Sequence, residues 1–491
     1  MILSQKSKLV KIIIIGLWLI IIAIPFFCFL EVLTLRIFDE SRNANNAFEM
    51  YKSGLSIATT YEGKPELWNT KPPLLIWLQV ISFHLFGVNA FAFRLPVASL
   101  GFLTCVGLFL FSFKHLKYFW HGIFTSLVLV TSLGFMKTHG ATTGDFDVPL
   151  TFFTTLYCLS YFLYIKHKEN KFLVLFFVGL LFSILTKSAA GLLFLPALFI
   201  FTIYKKFLFQ LLQNKTLYLG IFFLIVFIGG YYIIRDNLQP NYIKEVIENE
   251  YTGRYNTPQE GNKGGFDYYF KLIKNHRFFN WFYLLFISFF LGFFNKNKKL
   301  WDLHLFSCIL IISYFIVITL AKTKLEWYDI PMYPFFSIII ANFIYMLYDF
   351  ISKQNIGFRK TPIGLTLVIL FFTFPYIKVL NFLSEEEKAV YLEHHLMPKY
   401  LSENSSFLPD SVNVLFHSGY KPNLLFYSRA LQEEGKSINF INYDEIDNYN
   451  SFIVNNKTYI DSIEKNYDFK KKKIYEFKNV PIYKFENLKK K

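Results

Sequence analysis

Long apolar segments recur along this 491-residue chain, and they determine whether it can fold in water or in a membrane. Eleven runs have the character of membrane spans, some of them needing a few flanking residues to reach full bilayer thickness. They lie near residues 12–30, 95–113, 122–136, 148–165, 172–186, 189–204, 217–234, 278–294, 303–321, 330–348 and 362–380. With 54% hydrophobic residues and 61 phenylalanines, the chain has more apolar surface than a soluble domain buries. The sequence therefore predicts a mainly α-helical, polytopic membrane protein with about eleven transmembrane helices.

The basic residues predict how these spans are oriented. Lys6, Lys8 and Lys11 precede the first apolar run, which has no small-residue cleavage site and is predicted to remain as a span. A further run, 73–86, is too short, because it gives about 21 Å of helix against a hydrocarbon core of about 30 Å. We expect it to lie in the outer interface. The basic clusters between spans then share the cytoplasmic side with the N-terminus. These clusters are 114–117, 166–171, 205–206, 296–299 and 353–360.

Charge and cysteine content exclude other classes of protein. The formal net charge of +16 is explained by the basic inner loops and a lysine-rich tail, so we expect no nucleic-acid partner. The four cysteines lie inside apolar segments without metal-like spacing, and we infer neither disulfides nor a zinc site. They are Cys28, Cys105, Cys158 and Cys308.

Composition divides the chain into a transmembrane domain, 1–383, and a C-terminal domain, 384–491. The second part is rich in Lys, Glu, Asn and Tyr, and is predicted to be a small soluble α/β domain. Its predicted elements are strands at Val412–Phe416 and Ile438–Ile441 and a helix at Pro422–Ala430. We expect His394 and His395 to be solvated on a loop, and the Lys470–Lys473 run to form a solvated turn.

The unusual polar residues collect on the outer side, in the loops 31–94 and 235–277 and in short turns between spans. Asp39, Glu40 and Arg42 follow the first span, where a bilayer gives no reason to keep charges. The spacing of Asp39 and Arg42 fits a helical salt bridge and also fits a catalytic carboxylate with a supporting neighbour. Asp145-Phe146-Asp147 resembles the acidic pair of nucleotide-sugar enzymes, although Asp147 is equally suited to capping the helix that follows.

Several outer cations and a phenol are suited to an anionic head group. Lys71 follows a plausible N-cap, Thr70, and helix N-termini bind phosphate. Each residue also has a plainer explanation: a snorkelling lysine, a surface arginine or a tyrosine of the aromatic belt. Together with a carboxylate they indicate group transfer from a lipid-phosphate donor. The residues concerned are Lys71, Lys187, Arg254, Lys324 and Tyr328.

The order of these motifs resembles a known family, the C-type glycosyltransferases that use polyprenyl-phosphate sugars. The similarity is to the branch with the aminoarabinose transferase of lipid A and the protein O-mannosyltransferases, and it spans roughly residues 10–335. The motifs are Asp39-Glu40-x-Arg42, Thr70-Lys71-Pro72-Pro73-Leu74-x-x-Trp77, Phe93-Arg94-Leu95-Pro96, Thr143-Gly144-Asp145-x-Asp147-x-Pro149-Leu150, Leu185-Thr186-Lys187, Glu250-x-x-x-Arg254 and Lys324-Leu325-x-x-Tyr328-x-x-Pro331-x-x-Pro334.

The resemblance implies a role for each matched residue. Asp39 is expected to be the catalytic base, with Glu40 and Arg42 orienting it and an inverted linkage as the outcome. Asp147 is expected to help place donor or acceptor. The group expected to bind the donor, and chiefly its phosphate, is Lys71, Lys187, Arg254, Lys324, Tyr328 and Asp145.

The sequence departs from the lipid A enzymes at two positions suited to a metal, which are occupied here by Thr70 and Tyr251. We therefore expect no required cofactor and no zinc. The expected partners are a polyprenyl-phosphate sugar, membrane lipids and an acceptor that is lipid A, a glycan or a protein. The expected location is the bacterial inner membrane, with a cytoplasmic N-terminus and a periplasmic active site and C-terminal domain. A flippase, transporter or polymerase of lipid-linked sugars is the main alternative, ahead of a membrane sensor.

Overall fold

The computed structural model describes residues 2–137, 139–253, 258, 261–354, 360–385, 392–416 and 419–491. Within them, α-helices dominate the first 385 residues, and a five-stranded sheet follows. The α-helices are α1 (Ile2–Phe27), α2 (Asp39–Ser53), α3 (Leu74–Phe86), α4 (Ala90–Leu110), α5 (Phe119–Val130), α6 (Leu133–Met136), α7 (Asp147–His167), α8 (Asn170–Lys187), α9 (Leu195–Tyr204), α10 (Leu208–Leu212), α11 (Lys215–Leu238), α12 (Tyr242–Val246), α13 (Tyr268–Leu272), α14 (Phe279–Leu291), α15 (Lys298–Leu320), α16 (Tyr333–Gln354), α17 (Lys360–Leu383), α18 (Leu392–Glu403), α19 (Pro422–Glu433) and α20 (Lys457–Asn466). The strands are β1 (Thr60–Tyr61), β2 (Lys64–Pro65), β3 (Ser411–Leu415), β4 (Ser437–Ile441), β5 (Ser451–Val454), β6 (Tyr467–Phe477) and β7 (Val480–Lys490).

Eight helical segments in the described residues are long and apolar enough to cross a membrane. Three shorter apolar helices, α5, α9 and α14, coincide with the remaining predicted spans, and α3 coincides with the run at 73–86. Only 11% of the most apolar window of α11 is buried, as expected of a helix that faces lipid. The prediction of a polytopic, mainly helical membrane protein is confirmed. The eight segments are Leu9–Phe27, Ala90–Leu116, Asp147–His167, Asn170–Leu192, Lys215–Leu238, Lys298–Leu320, Glu326–Gln354 and Thr361–Leu383.

Four of the short loops between spans meet at one end of the helical bundle. Lys205 pairs with Asp302 at 2.8 Å, so the loop after α9 touches the start of α15. The rings of His115 and His167 lie 6.4 Å apart and join the loops after α4 and α7. These are the basic loops that were predicted to share the cytoplasmic side. The acidic and basic residues singled out on the outer side lie at other helix ends.

The C-terminal sheet has the strand order β4-β3-β5-β7-β6. Strand β3 pairs in parallel with both β4 and β5, whereas β5, β7 and β6 pair antiparallel. Helix α19 supplies the crossover between β3 and β4. Both predicted strands and the predicted helix are present, and the sheet domain confirms that part of the predicted fold. The domain boundary at residue 384 stays a prediction.

Two predictions in this domain are wrong. The lysines at 470–473 lie in strand β6, where they are exposed, and do not form a turn. Strand β6 is at the edge of the sheet, and lysines on an edge strand oppose pairing with another chain. His395 lies on helix α18, not on a loop. Its buried ring contacts Thr34, with 2.8 Å between Nδ1 and Oγ1, so burial and a polar partner replace the expected solvation.

The C-terminal domain packs on helix α2 through α19. Arg429 on α19 pairs with Glu49 at 2.7 Å and donates to Asn45 Oδ1 at 2.8 Å. The amide of Asn45 in turn donates to the carbonyl of Pro422 at 2.7 Å. Helix α2 begins at Asp39. The helix that carries the candidate base is therefore packed against the C-terminal domain.

Candidate functional site

The Glu40 carboxylate is a junction between three segments that are distant in sequence. It lies in the first turn of α2 and pairs with Arg94 of α4, with 2.7 Å between Oε1 and Nε. It also accepts the N–H of Arg36 at 2.8 Å and the N–H of Gly144 at 3.0 Å. The side chains of Glu40 and Arg94 are 1% and 3% exposed. This junction fixes the end of the first span, the start of α2 and the turn before α7 relative to one another.

The negative charge of Glu40 is balanced by the positive charge of Arg94 at this junction. Arg94 donates to the carbonyls of Leu30, Leu33 and Thr34 as well as to Glu40. Burial alone acts to raise the pKa of Glu40, but the charge and hydrogen bonds of Arg94, with the two N–H groups, hold that pKa below its ordinary value. Glu40 is therefore ionised and fully engaged, which suits a supporting group and not a base.

Arg42 does not use Asp39 as its ion-pair partner. Its guanidinium binds Glu66 with Nε to Oε2 at 2.7 Å and Nη2 to Oε1 at 3.0 Å. It lies between the rings of Tyr61 and Trp68, 4.3 and 4.9 Å from their centroids. The alternative of an Asp39–Arg42 salt bridge is thus replaced by a bidentate pair with a loop carboxylate. Glu40 and Arg42 share the first turn of α2 with Asp39, and their role in orienting it stays a prediction.

An open cavity lies between α7, α8, α15 and the turn that contains Tyr328. Asp147, Lys187, Glu250 and Tyr328 give it a polar end. The remaining lining is apolar apart from the ring of Tyr314 and consists of Leu150, Ala189, Ala190, Leu193, Ile318 and Ala321. A cavity that is polar at one end and apolar along its wall is suited to an amphiphile.

Lys187 and Asp147 form an ion pair inside this cavity. Lys187 is the last residue of α8, and its Nζ lies 2.6 Å from Asp147 Oδ1. The ammonium group also lies 5.4 Å from the ring centroid of Tyr328. Asp147 is the first residue of α7, and the N-cap of that helix is Phe146. The structure thus brings together Lys187, Asp147 and Tyr328 from three predicted motifs, and capping does not account for Asp147.

Asp145 pairs with a residue that the sequence analysis missed. His139 Nδ1 lies 3.1 Å from Asp145 Oδ2, and the imidazole stacks on Trp327 with 3.5 Å between ring centroids. Burial acts to lower the pKa of His139, but the charges of Asp145, Asp39 and Asp147 raise it above its ordinary value. His139 therefore pairs with one acidic residue of these motifs and feels the charge of two others.

Lys71 lies beside the cavity and not at the helix terminus that was predicted. Helix α3 begins at Leu74 with Pro73 as its N-cap, so the N-cap role of Thr70 is wrong. The Thr70 hydroxyl instead contacts the carboxylate of Glu250 at 3.3 Å, and Glu250 lines the cavity. The Lys71 ammonium lies 5.4 Å from the ring of Phe146, the residue between Asp145 and Asp147.

Two further cations have different outcomes. Lys324 donates to the carbonyls of Ile318 and Thr319 in the last turn of α15, and it is not part of the cavity lining. These bonds make it a C-terminal cap, because lysine satisfies the free carbonyls of a last turn. Arg254 lies outside the described residues.

Among the described residues, no group of three or more His, Cys, Asp or Glu side chains is arranged to hold a metal ion.

Residues 70–232 match the family model described as dolichyl-phosphate-mannose-protein mannosyltransferase. An uncharacterized protein of Aquifex aeolicus (strain VF5) is 27% identical over 333 residues. The match covers 68% of this chain and 62% of that relative, so the chain spans less than two thirds of the relative's length.

Solved structures with the same fold include ArnT from Cupriavidus metallidurans bound to undecaprenyl phosphate. That structure has a TM-score of 0.68 and 15% identity, and the match covers 96% of this chain and 97% of ArnT. The apo state of ArnT gives 0.67 with 98% of each chain covered, also at 15% identity. The oligosaccharyltransferase AglB from Archaeoglobus fulgidus, in complex with an inhibitory peptide and a dolichol-phosphate, gives 0.50 at 9% identity, covering 86% of this chain and 64% of AglB. These findings confirm the resemblance that the motifs indicated: the chain is a multi-pass membrane protein with the fold of ArnT, and its residues 70–232 match the dolichyl-phosphate-mannose-protein mannosyltransferase family.

Proposed function

We propose that this protein is an integral membrane glycosyltransferase that moves a sugar from a polyprenyl-phosphate donor to an acceptor hydroxyl. The observation that carries the proposal is the amphiphilic cavity, in which Lys187 and Tyr328 meet at the polar end of an apolar wall. A polyprenyl phosphate has the same distribution of charge and apolar surface. The family match and the fold shared with ArnT support the same class of donor.

The phosphate site needs more positive charge than the cavity lining supplies. Lys187 is already paired with Asp147 there, and Glu250 adds a second carboxylate to the lining. A second cation is therefore required to stabilise the phosphate as it leaves, and Lys71 beside Phe146 is suited to this. We infer that Arg254, four residues after Glu250 in the sequence, serves the same end.

The proposed chemistry is a single displacement with Asp39 as the base. The acceptor hydroxyl oxygen attacks the anomeric carbon, the bond from that carbon to the phosphate oxygen breaks, and the polyprenyl phosphate leaves with the electron pair. The hydroxyl proton passes to the Asp39 carboxylate, and the linkage is inverted. Asp39 is only partly buried, and its charge is felt both by His139 beside Asp147 and by Tyr420 of the C-terminal domain. This location between cavity and outer surface supports its role. A monophosphate leaving group requires no metal ion in this scheme.

We further propose that the site faces the periplasm of a bacterial cell, with the N-terminus in the cytoplasm. Support comes from the basic loops after α4, α7 and α9, which meet at one end of the bundle. Under the positive-inside rule that end is cytoplasmic.

The test uses purified protein in nanodiscs. Transfer of the sugar and binding of undecaprenyl phosphate are measured on the same samples. We expect Asp39→Asn to lose at least about a thousandfold in kcat, because catalysis by a positioned base and its charge is removed, and to keep lipid binding. Asp461→Asn, at an exposed position of α20, is the matched control and should behave as wild type.

A second variant separates the donor site from the base. Lys187→Met combined with Asp147→Asn removes the ion pair without leaving a lone buried charge, and should weaken binding of undecaprenyl phosphate about tenfold or more. Transfer retained by Asp39→Asn removes the proposed base. Unchanged lipid binding in the double variant removes the proposed donor cavity.

A further inference from the structure

We propose that the acceptor is a carbohydrate, and that one of its sugar rings binds to four aromatic side chains beside Asp39. This aromatic rim consists of Phe38, Tyr61, Trp68 and Tyr420. It deepens the proposed function and rests on it, because Asp39 is where the reacting hydroxyl must lie. Tyr420 belongs to the C-terminal domain, which thereby contributes to the acceptor site.

The rim is continuous with the candidate base. Phe38 immediately precedes Asp39, and Arg42 follows one helical turn later on the same face of α2. The ring of Phe38 stacks on that of Tyr420, with 6.1 Å between centroids and 24° between planes. The charge of Asp39 also acts on the Tyr420 hydroxyl. A ligand on these rings is therefore adjacent to the Asp39 carboxylate.

One cation fixes the positions of the rings. The Arg42 guanidinium lies over Tyr61 and Trp68, 4.3 and 4.9 Å from their ring centroids, and its charge acts on the Tyr420 hydroxyl. Glu66, whose side chain is fully buried, holds Arg42 by two hydrogen bonds and also accepts the N–H of Trp68 at 2.9 Å. Rings held in this way lose little freedom on binding, which favours affinity.

The exposure of the rim shows that it is not part of the core. Phe38, Trp68 and Tyr420 are 67%, 47% and 43% exposed. Exposed apolar groups that cluster in one place mark a binding surface. The partly buried Arg42 lies between two of these rings and is paired with the buried Glu66, which distinguishes the rim from the apolar, exposed middle of α11.

The chemistry of the rim selects a sugar over a peptide. A pyranose ring has an apolar face of C–H bonds that packs on an aromatic ring, and hydroxyls at its edge that bind polar groups. The rim supplies both, since its aromatic rings are interleaved with the Arg42 guanidinium and include the Tyr420 hydroxyl. A serine or threonine in an extended peptide would need partners for its backbone N–H and C=O groups, and side chains of aromatic residues do not supply these.

The test is binding of defined probes to the full chain in detergent micelles, followed by saturation-transfer NMR. The probes are the disaccharide of N-acetylglucosamine, methyl α-mannoside and the peptide Gly-Ser-Thr-Gly. We expect wild type to bind at least one sugar and not the peptide. Trp68→Ala and Tyr420→Ala should each weaken sugar binding about tenfold, the loss expected for one aromatic stacking contact.

Two controls keep the proposal separate from folding and from the proposed function. Phe407→Ala removes an aromatic ring that is 86% exposed elsewhere in the C-terminal domain and should bind the sugar as wild type does. Tyr420→Phe keeps the ring, loses the hydroxyl and should give an intermediate affinity.

Binding of undecaprenyl phosphate is measured in parallel and should be unchanged in all rim variants. Its absence in wild type contradicts the donor proposal, whatever the sugars do. Sugar binding that survives both alanine variants, binding of the peptide alone, or no binding of any probe overturns the carbohydrate site.

Discussion

At the scale of single residues, the Glu40 carboxylate joins segments that are distant in sequence. It pairs with Arg94, 54 residues away, and accepts the N–H of Gly144, 104 residues away. Because the pair is almost completely buried, its contribution depends on both partners being present. The candidate base Asp39 immediately precedes Glu40 in the chain. The precision of its position therefore depends on the Glu40–Arg94 pair.

Glu40→Gln is expected to lower stability strongly. The substitution leaves the Arg94 charge buried and without its counter-ion, which costs about 3–5 kcal/mol in comparable cases. We expect a clear drop in the melting temperature of the detergent-solubilised protein, read by size-exclusion chromatography after heating. Asp349→Asn breaks an exposed pair with Lys353 and should change stability by less than about 1 kcal/mol. Equal melting of the two variants would contradict the structural importance of the Glu40–Arg94 pair.

His139 is expected to make stability depend on pH. Its pKa is raised above the ordinary 6.5 by Asp145, so the folded state holds the proton more tightly than the unfolded state does. The resulting stabilisation is complete below about pH 6.5 and is lost as the pH rises through the higher pKa of the folded protein. The melting temperature of wild type should therefore fall over this range relative to that of His139→Gln. Parallel profiles for the two proteins would exclude protonation of His139 as the cause.

Sequence alone found the residues that are anomalous for a membrane protein, but not their partners. Lys187 was identifiable because lysine is rare on an outer turn, whereas Asp147, 40 residues away, became its partner only through the packing of α7 against α8. Glu66 was not identified, since a glutamate in a polar loop has no distinguishing local pattern. His139 was missed for the same reason, because its significance comes from Asp145 and Trp327 around it.

At the scale of secondary-structure elements, close approach explains residues that local patterns leave open. Gly144 lies in the turn before α7, where an added Cβ would come within 1.9 Å of the Phe93 ring. Only glycine allows this turn to reach Glu40, so the Thr-Gly-Asp sequence is a packing requirement there. By contrast, the span within α11 was predictable, because residues 217–234 are 18 consecutive uncharged and mostly apolar residues, which is the length of a membrane span.

Lys324 allows the two roles considered for it to be distinguished. As a cap, it stabilises the last turn of α15 through the carbonyls of Ile318 and Thr319. Lys324→Met is expected to cost about 1–2 kcal/mol in stability, the range for a charge-assisted bond near a helix C-terminus. The KM for the donor should remain unchanged. A raised donor KM with normal melting would return Lys324 to the phosphate site.

At the scale of the whole molecule, the C-terminal domain is attached to the membrane domain by both apolar and polar contacts. Phe426 of α19 is fully buried and packs near the rings of Phe83 and Phe93, at centroid distances of 6.2 and 6.3 Å. The Arg429–Glu49 pair lies on the same helix. The sequence predicted that this domain exists but not that it packs on α2. Neither α2 nor α19 has an apolar pattern from which the other could be identified as its partner.

Phe426→Ala is the test of this attachment. Replacing a buried phenylalanine by alanine costs about 3–5 kcal/mol, and here the loss falls on the contact between α19, α3 and α4. We expect limited proteolysis to release the C-terminal domain more rapidly, while the membrane helices remain protected. Phe407→Ala, at an exposed position of the same domain, should change stability by no more than about 0.5 kcal/mol and leave the cleavage pattern as in wild type.

Because Tyr420 lies two residues before α19, a loosened domain should also lose acceptor binding while retaining undecaprenyl phosphate. Proteolysis at the wild-type rate in Phe426→Ala would mean that the polar contacts of Arg429 and Asn45 are sufficient to hold the domain on α2.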